Sequence, residues 1–179
     1  MTAPAEMTRP VKVRSLPAAD MRIEASEDER AALARRFAVT AIERLIAEVT
    51  FAEGDEGIAA TGRLDAEIVQ PCAVTREDFS YRIAEDINLL FVSDGRLTRF
   101  DEDEEIELAG NAPDEVEYQG DTFDIGEALA QTLGLAIDPY REGPDAEAAR
   151  AAAGIESDED ARPGGPLAEA LRALKGDGA

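Results

Sequence analysis

The sequence contains no histidine and no tryptophan, and it has only one cysteine and two lysines. Without histidine, Ser-His-Asp triads, Cys-His dyads and histidine-based metal sites are excluded. The lysines, Lys12 and Lys175, lie near the two ends of the chain, which disfavours a Ser-Lys dyad or a Schiff-base lysine. The phosphate-binding patterns GxxxxGKS/T and GxGxxG after a strand are missing as well. We therefore predict a non-catalytic protein with no catalytic residues and no cofactor.

Aromatic residues and long apolar runs are also scarce. No run approaches the roughly 20 apolar residues of a membrane span, and the N-terminal region lacks the apolar block of a secretory signal. One cysteine allows no internal disulfide, which is typical of a cytoplasmic protein. Apolar residues make up 44 % and aromatic residues 5 % of the 179 residues. We expect one cytoplasmic, monomeric domain with a modest aliphatic core and no contact with membranes.

Basic residues are outnumbered by acidic ones, 18 against 40, which gives a net charge of −22. Such a surface repels nucleic-acid phosphates and attracts cationic proteins and divalent ions. The excess is uneven, because residues 1–50 are balanced whereas residues 94–127 hold thirteen acids and two arginines. Half of the net negative charge therefore lies in residues 94–127.

The densest acidic stretch is "DEDEEIE" at 101–107, where six of seven residues are acidic. An EF-hand loop would need glycine at its sixth position, which Ile106 occupies. We predict a solvated loop and no metal site, so a metal-dependent hydrolase built on these carboxylates is the least favoured function. The predicted partner-binding residues are Asp101, Glu102, Asp103, Glu104, Glu105 and Glu107.

Apolar and polar residues alternate along several segments. The stretches "GIAATGRLDAEIVQ" and "FSYRIAEDINLLFV" indicate strands, and "DEVEY" a short one. The stretch "RLIAEVTFAE" fits a strand or a helix. Ser26 and Glu29 form a capping box before a helix at 27–37, and Asp124 caps a helix that ends at Pro139. These features predict an α+β fold, with an antiparallel β-meander covered by helices on one face.

The composition also predicts how the chain is divided. Residues 1–9 are expected to be a flexible tail and residues 10–140 a single α+β domain. Residues 141–165, with few large apolar side chains, are predicted to be a disordered or weakly helical linker. Residues 166–176 place three leucines on one face of a short C-terminal helix, which could dock on this domain, on a partner or on nothing.

The single cysteine, Cys72, could be a nucleophile, a metal ligand or a packing residue. A nucleophile needs a nearby cation to lower the pKa of the thiol, and Arg76 is the one candidate close in sequence. Pro71 interrupts the strand ladder just before the cysteine. We predict a small buried packing residue in the bend between two strands.

Three stretches resemble motifs of the YceD family of large ribosomal RNA subunit accumulation proteins. They are "GRLDAEIVQPCAVTREDF" at 62–79, "DIGEALAQTLGLAIDPY" at 124–140, and "GPLAEALRALKG" near the C-terminus. Many members carry Cys-x-x-Cys in the first motif, but Thr75 stands at the second cysteine position here. The motif residues are Gly62, Gln70, Cys72, Val74, Thr75, Asp124, Gly126, Glu127 and Pro139.

The resemblance implies a bacterial protein that supports accumulation of large-subunit ribosomal RNA, with no catalytic mechanism attached. Combined with the acidic charge, it favours a ribosome-biogenesis factor that binds a basic large-subunit ribosomal protein or a pre-ribosomal particle. The alternative is direct binding of ribosomal RNA, or its processing, through an arginine patch. The residues predicted for that alternative are Lys12, Arg14, Arg35, Arg36, Arg63 and Arg82.

Overall fold

The computed structural model of the chain describes residues 6–94 and 112–155. The described elements, in chain order, are β1 (Pro10–Lys12), β2 (Met21–Glu24), α1 (Glu27–Phe37), β3 (Ala41–Gly54), β4 (Gly57–Pro71), β5 (Asp78–Ser93), β6 (Asp114–Tyr118), β7 (Thr122–Asp124), α2 (Ile125–Ala136) and α3 (Ala146–Ala152). Together they form an α+β fold, as predicted. No helix in the described ranges is long and apolar enough to cross a membrane.

A five-stranded sheet with the order β2-β3-β4-β5-β6 forms the centre of the fold. Strands β2 to β5 pair antiparallel with their sequence neighbours, which confirms the predicted meander. Strand β6, the predicted "DEVEY" strand, instead pairs parallel to β5. A parallel pair needs a crossover connection instead of a tight turn, and residues 94–113 provide the required length.

The ambiguous stretch around Leu45 is a strand. Its even spacing places Leu45, Ala47 and Val49 in the core while Glu48 and Thr50 face solvent, and β4 supplies a long antiparallel partner. The local sequence also permits a helical stripe, so the choice is decided by pairing with β4 and not by local propensity.

Helices α1 and α2 cover the apolar face of the sheet. Leu33 of α1 and Leu129 and Leu133 of α2 are fully buried, and they belong to one hydrophobic cluster with Leu64 and Ile68 of β4. The opposite sheet face carries the alternating charged residues. This arrangement confirms that the helices pack on one face, as the alternation of the strands predicted.

Helices α1 and α2 begin at the positions that their capping residues predicted. The Ser26 side chain accepts from the Glu29 amide and the Glu29 carboxylate accepts from the Ser26 amide, which completes the capping box. The Asp124 carboxylate accepts from the amides of Gly126 and Glu127. Helix α2 ends at Ala136, three residues before the Pro139 that was expected to terminate it.

Two described segments at the edges of the predicted domain are more structured than the composition suggested. Strand β1 pairs with β7 in a separate two-stranded sheet. Met7, which falls in the predicted flexible tail, is 1 % exposed and belongs to the core. Helix α3 lies within the predicted disordered linker, and its Ala146 is buried. Three predicted segments lie outside the described residues: the acidic loop predicted at 101–107, residues 156–165 of the predicted linker, and the C-terminal helix predicted at 166–176.

Candidate functional site

The loop between β4 and β5 presents the only cysteine of the chain. Its backbone closes on itself, because the Cys72 amide donates to the Glu77 carbonyl at 2.8 Å and the Arg76 amide donates to the Cys72 carbonyl at 3.0 Å. Arg76 adopts a left-handed conformation with φ of 65° to complete this turn. Cys72 is 2 % exposed, in agreement with the prediction of a buried residue in a bend.

Three backbone amides converge on the sulfur of Cys72. Val74 and Thr75 donate to Sγ at 3.4 Å, and Gly143 donates at 3.2 Å from a distant part of the chain. The Thr75 side chain is the largest cause of a pKa for the Cys72 thiol lowered to about 7, followed by the amides of Thr75 and Gly143, against the opposing effect of burial. These donors favour the thiolate because each of them stabilises negative charge on sulfur.

The lowered pKa does not come from the cation that the sequence suggested. Arg76 is not among the groups that shift the Cys72 thiol, whereas Arg150 of α3 interacts with it electrostatically. A buried sulfur that accepts hydrogen bonds from three backbone amides is suited to anchoring a chain segment. The arrangement does not resemble an exposed, base-activated nucleophile.

A second group of contacts ties the same loop region to the chain after α2. Gln70, the one buried polar side chain among the described residues, donates from Nε2 to the Asp138 carbonyl at 2.9 Å and accepts from the Tyr81 hydroxyl at 2.7 Å. Burial raises the pKa of Tyr81, so this hydroxyl stays protonated and able to donate. The guanidinium carbon of Arg141 lies 4.1 Å from the centroid of the Tyr81 ring, a cation–π contact.

The two central sequence motifs therefore meet in space. Gln70 and Cys72 come from the first motif, and the Asp138 carbonyl precedes Pro139 at the end of the second. The Ala73 amide adds a hydrogen bond to the Arg141 carbonyl at 3.1 Å. We define the Cys72 anchor as Gln70, Cys72, Tyr81, Arg141 and Gly143.

Tyr81, Arg141 and Gly143 were not among the predicted site residues. The alternation of β5 placed Tyr81 on the core side of the sheet, which was a usable signal. Arg141 and Gly143 gave no local signal, since their importance depends on contacts with residues some seventy positions earlier. Val74 contributes its amide to the sulfur and not its side chain.

The Asp124–Glu127 part of the second motif has a separate role at the start of α2. The Asp124 carboxylate caps the helix and also accepts from the Arg9 amide at 2.7 Å. A Cβ atom on Gly126 would lie 2.7 Å from the Met7 carbonyl oxygen, so only glycine permits this close approach. Glu127 pairs with Arg36 of α1 at 2.9 Å, and this hydrogen bond lowers the pKa of Glu127. These residues dock the N-terminal segment and α1 onto α2.

Gly62 has a structural role in the middle of β4. A Cβ atom at this position would lie 1.9 Å from the Glu48 carbonyl oxygen of β3. The close contact explains a glycine inside a long strand that otherwise alternates regularly.

The structure does not gather the predicted arginine patch into one surface. Arg63 and Arg82 lie on the open face of the sheet, opposite α1, and pair with Asp86 at 3.7 Å and with Glu67 at 2.8 Å. Arg36 is neutralised by Glu6 and Glu127. The remaining members, all exposed, are Lys12 on β1, Arg14 after it, and Arg35 on α1.

The predicted acidic partner site, Asp101 to Glu105 with Glu107, lies outside the described residues. Two described parts of the sheet are acidic too. The β3–β4 hairpin tip carries Glu53, Asp55 and Glu56, and β6 carries Asp114, Glu115 and Glu117. Register places both at one end of the sheet, because Ile58 pairs with Phe91 and Phe91 with Val116. Within residues 6–94 and 112–155, no group of three or more acidic or cysteine side chains could hold a metal ion.

The fold and its anchor define a small α+β domain in which both central sequence motifs serve to bind chain segments together. Residues 60–175 match the family described as large ribosomal RNA subunit accumulation protein YceD. Because this match covers more than half of the 179 residues, the chain belongs to the YceD family, and the resemblance seen in the motifs is confirmed. No curated protein and no solved structure matches the chain.

Proposed function

We propose that this protein is a non-catalytic ribosome-biogenesis factor that supports accumulation of large-subunit ribosomal RNA by binding a basic ribosomal protein. The family description supports the role in ribosomal RNA accumulation. The observation that carries the binding mode is the charge imbalance, a net −22 in 179 residues. A surface of this kind attracts polycations and speeds their encounter.

The binding residues in this proposal are the acidic segment 101–107, which the sequence predicted, and the acidic end of the sheet, defined as the β3–β4 hairpin tip and β6. Strands β4, β5 and β6 are neighbours, and adjacent strands lie about 4.8 Å apart. One partner protein can therefore contact the acidic residues of both the hairpin tip and β6. The residues of the tip and of β6 include no base. By contrast, the open face of the sheet carries Arg63 and Arg82, which pair with Asp86 and Glu67.

The experiment measures capture of purified basic large-subunit ribosomal proteins by the full chain, at low and at high salt. One variant neutralises Asp101 to Glu105 and Glu107 as asparagine and glutamine. A matched variant neutralises six exposed carboxylates elsewhere, at Asp28, Glu43, Glu77, Glu85, Asp145 and Glu147. Both variants have the same net charge, so they differ only in where the charge is removed.

We expect the first variant to lose most of the capture and the second to retain it, with salt weakening both. Equal losses would assign binding to overall charge and reject segment 101–107 as the binding site. A wild-type chain that captures no basic ribosomal protein at low salt would reject the proposed function itself.

A further inference from the structure

Helix α1 and the start of β3 enclose an open groove of about 460 Å³. Arg30, Arg35 and Ala31 line it from the helix, while Val39 and Ile42 line it from the strand side. A volume of this size lies within the range of known ligand sites, which also combine apolar surface with a few polar groups. The groove lies at the opposite end of β3 from the acidic hairpin tip, because Ala41 at the start of the strand lines it.

Arg30 is held in the groove by neutral groups. Its Nε donates to the Ile42 carbonyl at 3.1 Å and its Nη1 donates to the Ala25 carbonyl at 2.7 Å. A guanidinium has five N–H donors, so three remain for a ligand. Because both partners are carbonyls, the positive charge of Arg30 is not cancelled by a carboxylate.

Arg35, five residues further along α1, is exposed and makes no ion pair with any residue in the described ranges. Six other arginines of the described residues pair with acids. The matched arginines are Arg9, Arg22, Arg36, Arg63, Arg82 and Arg150. Glu27 is the acid that lines the groove, and it leaves the two arginines in excess.

We propose that this groove binds single-stranded RNA, with a phosphodiester on Arg30 and Arg35 and the adjoining base on the apolar floor. Guanidinium groups pair with phosphate oxygens in a bidentate manner, and flat bases pack well on apolar side chains. An acidic peptide would satisfy the arginines but would leave the apolar floor unused. The inference goes beyond the proposed function, which concerns the acidic end and a protein partner.

The overall charge of −22 limits how strongly RNA can bind. Binding is therefore expected only at low salt, on the order of 20 mM, and with a shallow salt dependence. A site that contacts one phosphate gives a slope of about −0.7 in a plot of log affinity against log salt concentration.

The test measures fluorescence anisotropy of a short labelled oligouridylate with the full chain. Arg30 also holds the local backbone, so the variants avoid it. Arg35→Gln removes one of the two positive charges of the groove. Ala31→Glu places a negative charge in the groove at an exposed helical position. Ala148→Glu is the matched control, since it makes the same change on the exposed face of α3.

We expect both groove variants to weaken RNA binding about tenfold and the control to leave it unchanged, since a charged contact is worth about one factor of ten. Absence of wild-type binding at low salt, or equal weakening by Ala148→Glu, would overturn the proposal. Tighter binding of a labelled oligoglutamate, reduced by Ala31→Glu, would assign the groove to an acidic peptide instead. Capture of basic ribosomal proteins should be unaffected by Ala31→Glu, so the two functions fail separately.

Discussion

The backbone amide of Gly143 donates a hydrogen bond to the sulfur of Cys72 at 3.2 Å, although 71 positions separate the two residues. This contact fastens the chain that follows α2 to the loop between the two longest antiparallel strands. A Cβ atom on Gly143 would lie 3.1 Å from the Phe79 ring and 3.4 Å from the Cys72 Cβ, so the approach is close. The cysteine thus acts on the fold through the acceptor capacity of its sulfur.

The first prediction concerns the pH dependence of this anchor. The folded protein lowers the pKa of the Cys72 thiol to about 7, whereas an unfolded cysteine titrates near 8.5. A lowered pKa stabilises the fold fully above about pH 8.5, and this contribution is lost as the pH falls through about 7. The free energy of unfolding of the wild type should therefore rise between about pH 7 and pH 8.5.

Urea unfolding of the wild type and of Cys72→Ser over this pH range checks the prediction. The serine variant cannot ionise there, so its free energy of unfolding should lack the increment that belongs to the thiol. Since the chain has one cysteine, thiolate absorbance near 240 nm reports on Cys72 directly. Identical pH slopes for the two proteins, or a thiolate midpoint near 8.5 in the folded wild type, would contradict it.

The second prediction concerns the buried hydrogen bond between Tyr81 and Gln70. Tyr81→Phe removes the hydroxyl that donates at 2.7 Å and leaves Gln70 Oε1 without this donor, in a residue that is 3 % exposed. A buried polar group deprived of its partner costs about 1–3 kcal/mol. Urea unfolding should show a loss of that size, whereas Tyr140→Phe, at a side chain 81 % exposed, should change the free energy of unfolding by less than about 0.5 kcal/mol. Equal effects of the two substitutions would show that the Gln70 contact does not stabilise the fold.

Most of the fold could be predicted because its signals are local. The alternation in β4 and β5, the capping box at Ser26 and the cap at Asp124 each identify an element from a few adjacent residues. The parallel pairing of β6 could not be predicted in this way. Its orientation depends on how the chain crosses from β5, and five residues of alternating sequence fit either direction.

Part of the Cys72 anchor could also be predicted, because the signals for Gln70 and Cys72 are local in the sequence. The motif identified Gln70 and Cys72, and the bend explained why the cysteine is buried. Met7 and Gly143 lie in stretches with little apolar periodicity, and the core contact of one and the sulfur contact of the other come from segments distant in sequence. Short segments of this kind are ordered by the surface on which they pack, which composition does not report.

The third prediction uses two glycines of the same helix. At Gly126 a Cβ atom would lie 2.7 Å from the Met7 carbonyl oxygen and 2.8 Å from the Arg9 amide nitrogen, so the N-terminal segment would have to move. At Gly134 the nearest atom, at 2.8 Å, belongs to the Phe37 ring, a side chain that can shift. Alanine also gains about 1 kcal/mol of helix propensity over glycine.

Gly126→Ala should therefore destabilise the protein by about 1–3 kcal/mol, and Gly134→Ala by distinctly less. Thermal unfolding checks the order, and the reverse order would show that the N-terminal segment is not held by this contact.

The fourth prediction concerns the ion pair that joins the N-terminal segment to α1. Arg9 contacts both oxygens of Glu29, at 2.6 and 2.9 Å, and this pairing lowers the pKa of Glu29 to about 2. An unfolded glutamate titrates near 4.3, so the stabilisation is complete above that pH and is lost as the pH falls through about 2. The Glu29 and Arg9 side chains are 19 % and 27 % exposed, and solvent screening limits the contribution to about 1 kcal/mol.

Glu29→Gln should lower the free energy of unfolding by that amount at neutral pH and should flatten its fall between about pH 5 and pH 2. Glu27→Gln is the control, because Glu27 lies in the same helical turn as Glu29 but is not paired with Arg9. This variant should keep the wild-type dependence of the free energy of unfolding on pH in urea unfolding. If the two variants have the same profile, the Arg9–Glu29 pair does not hold the N-terminal segment against α1.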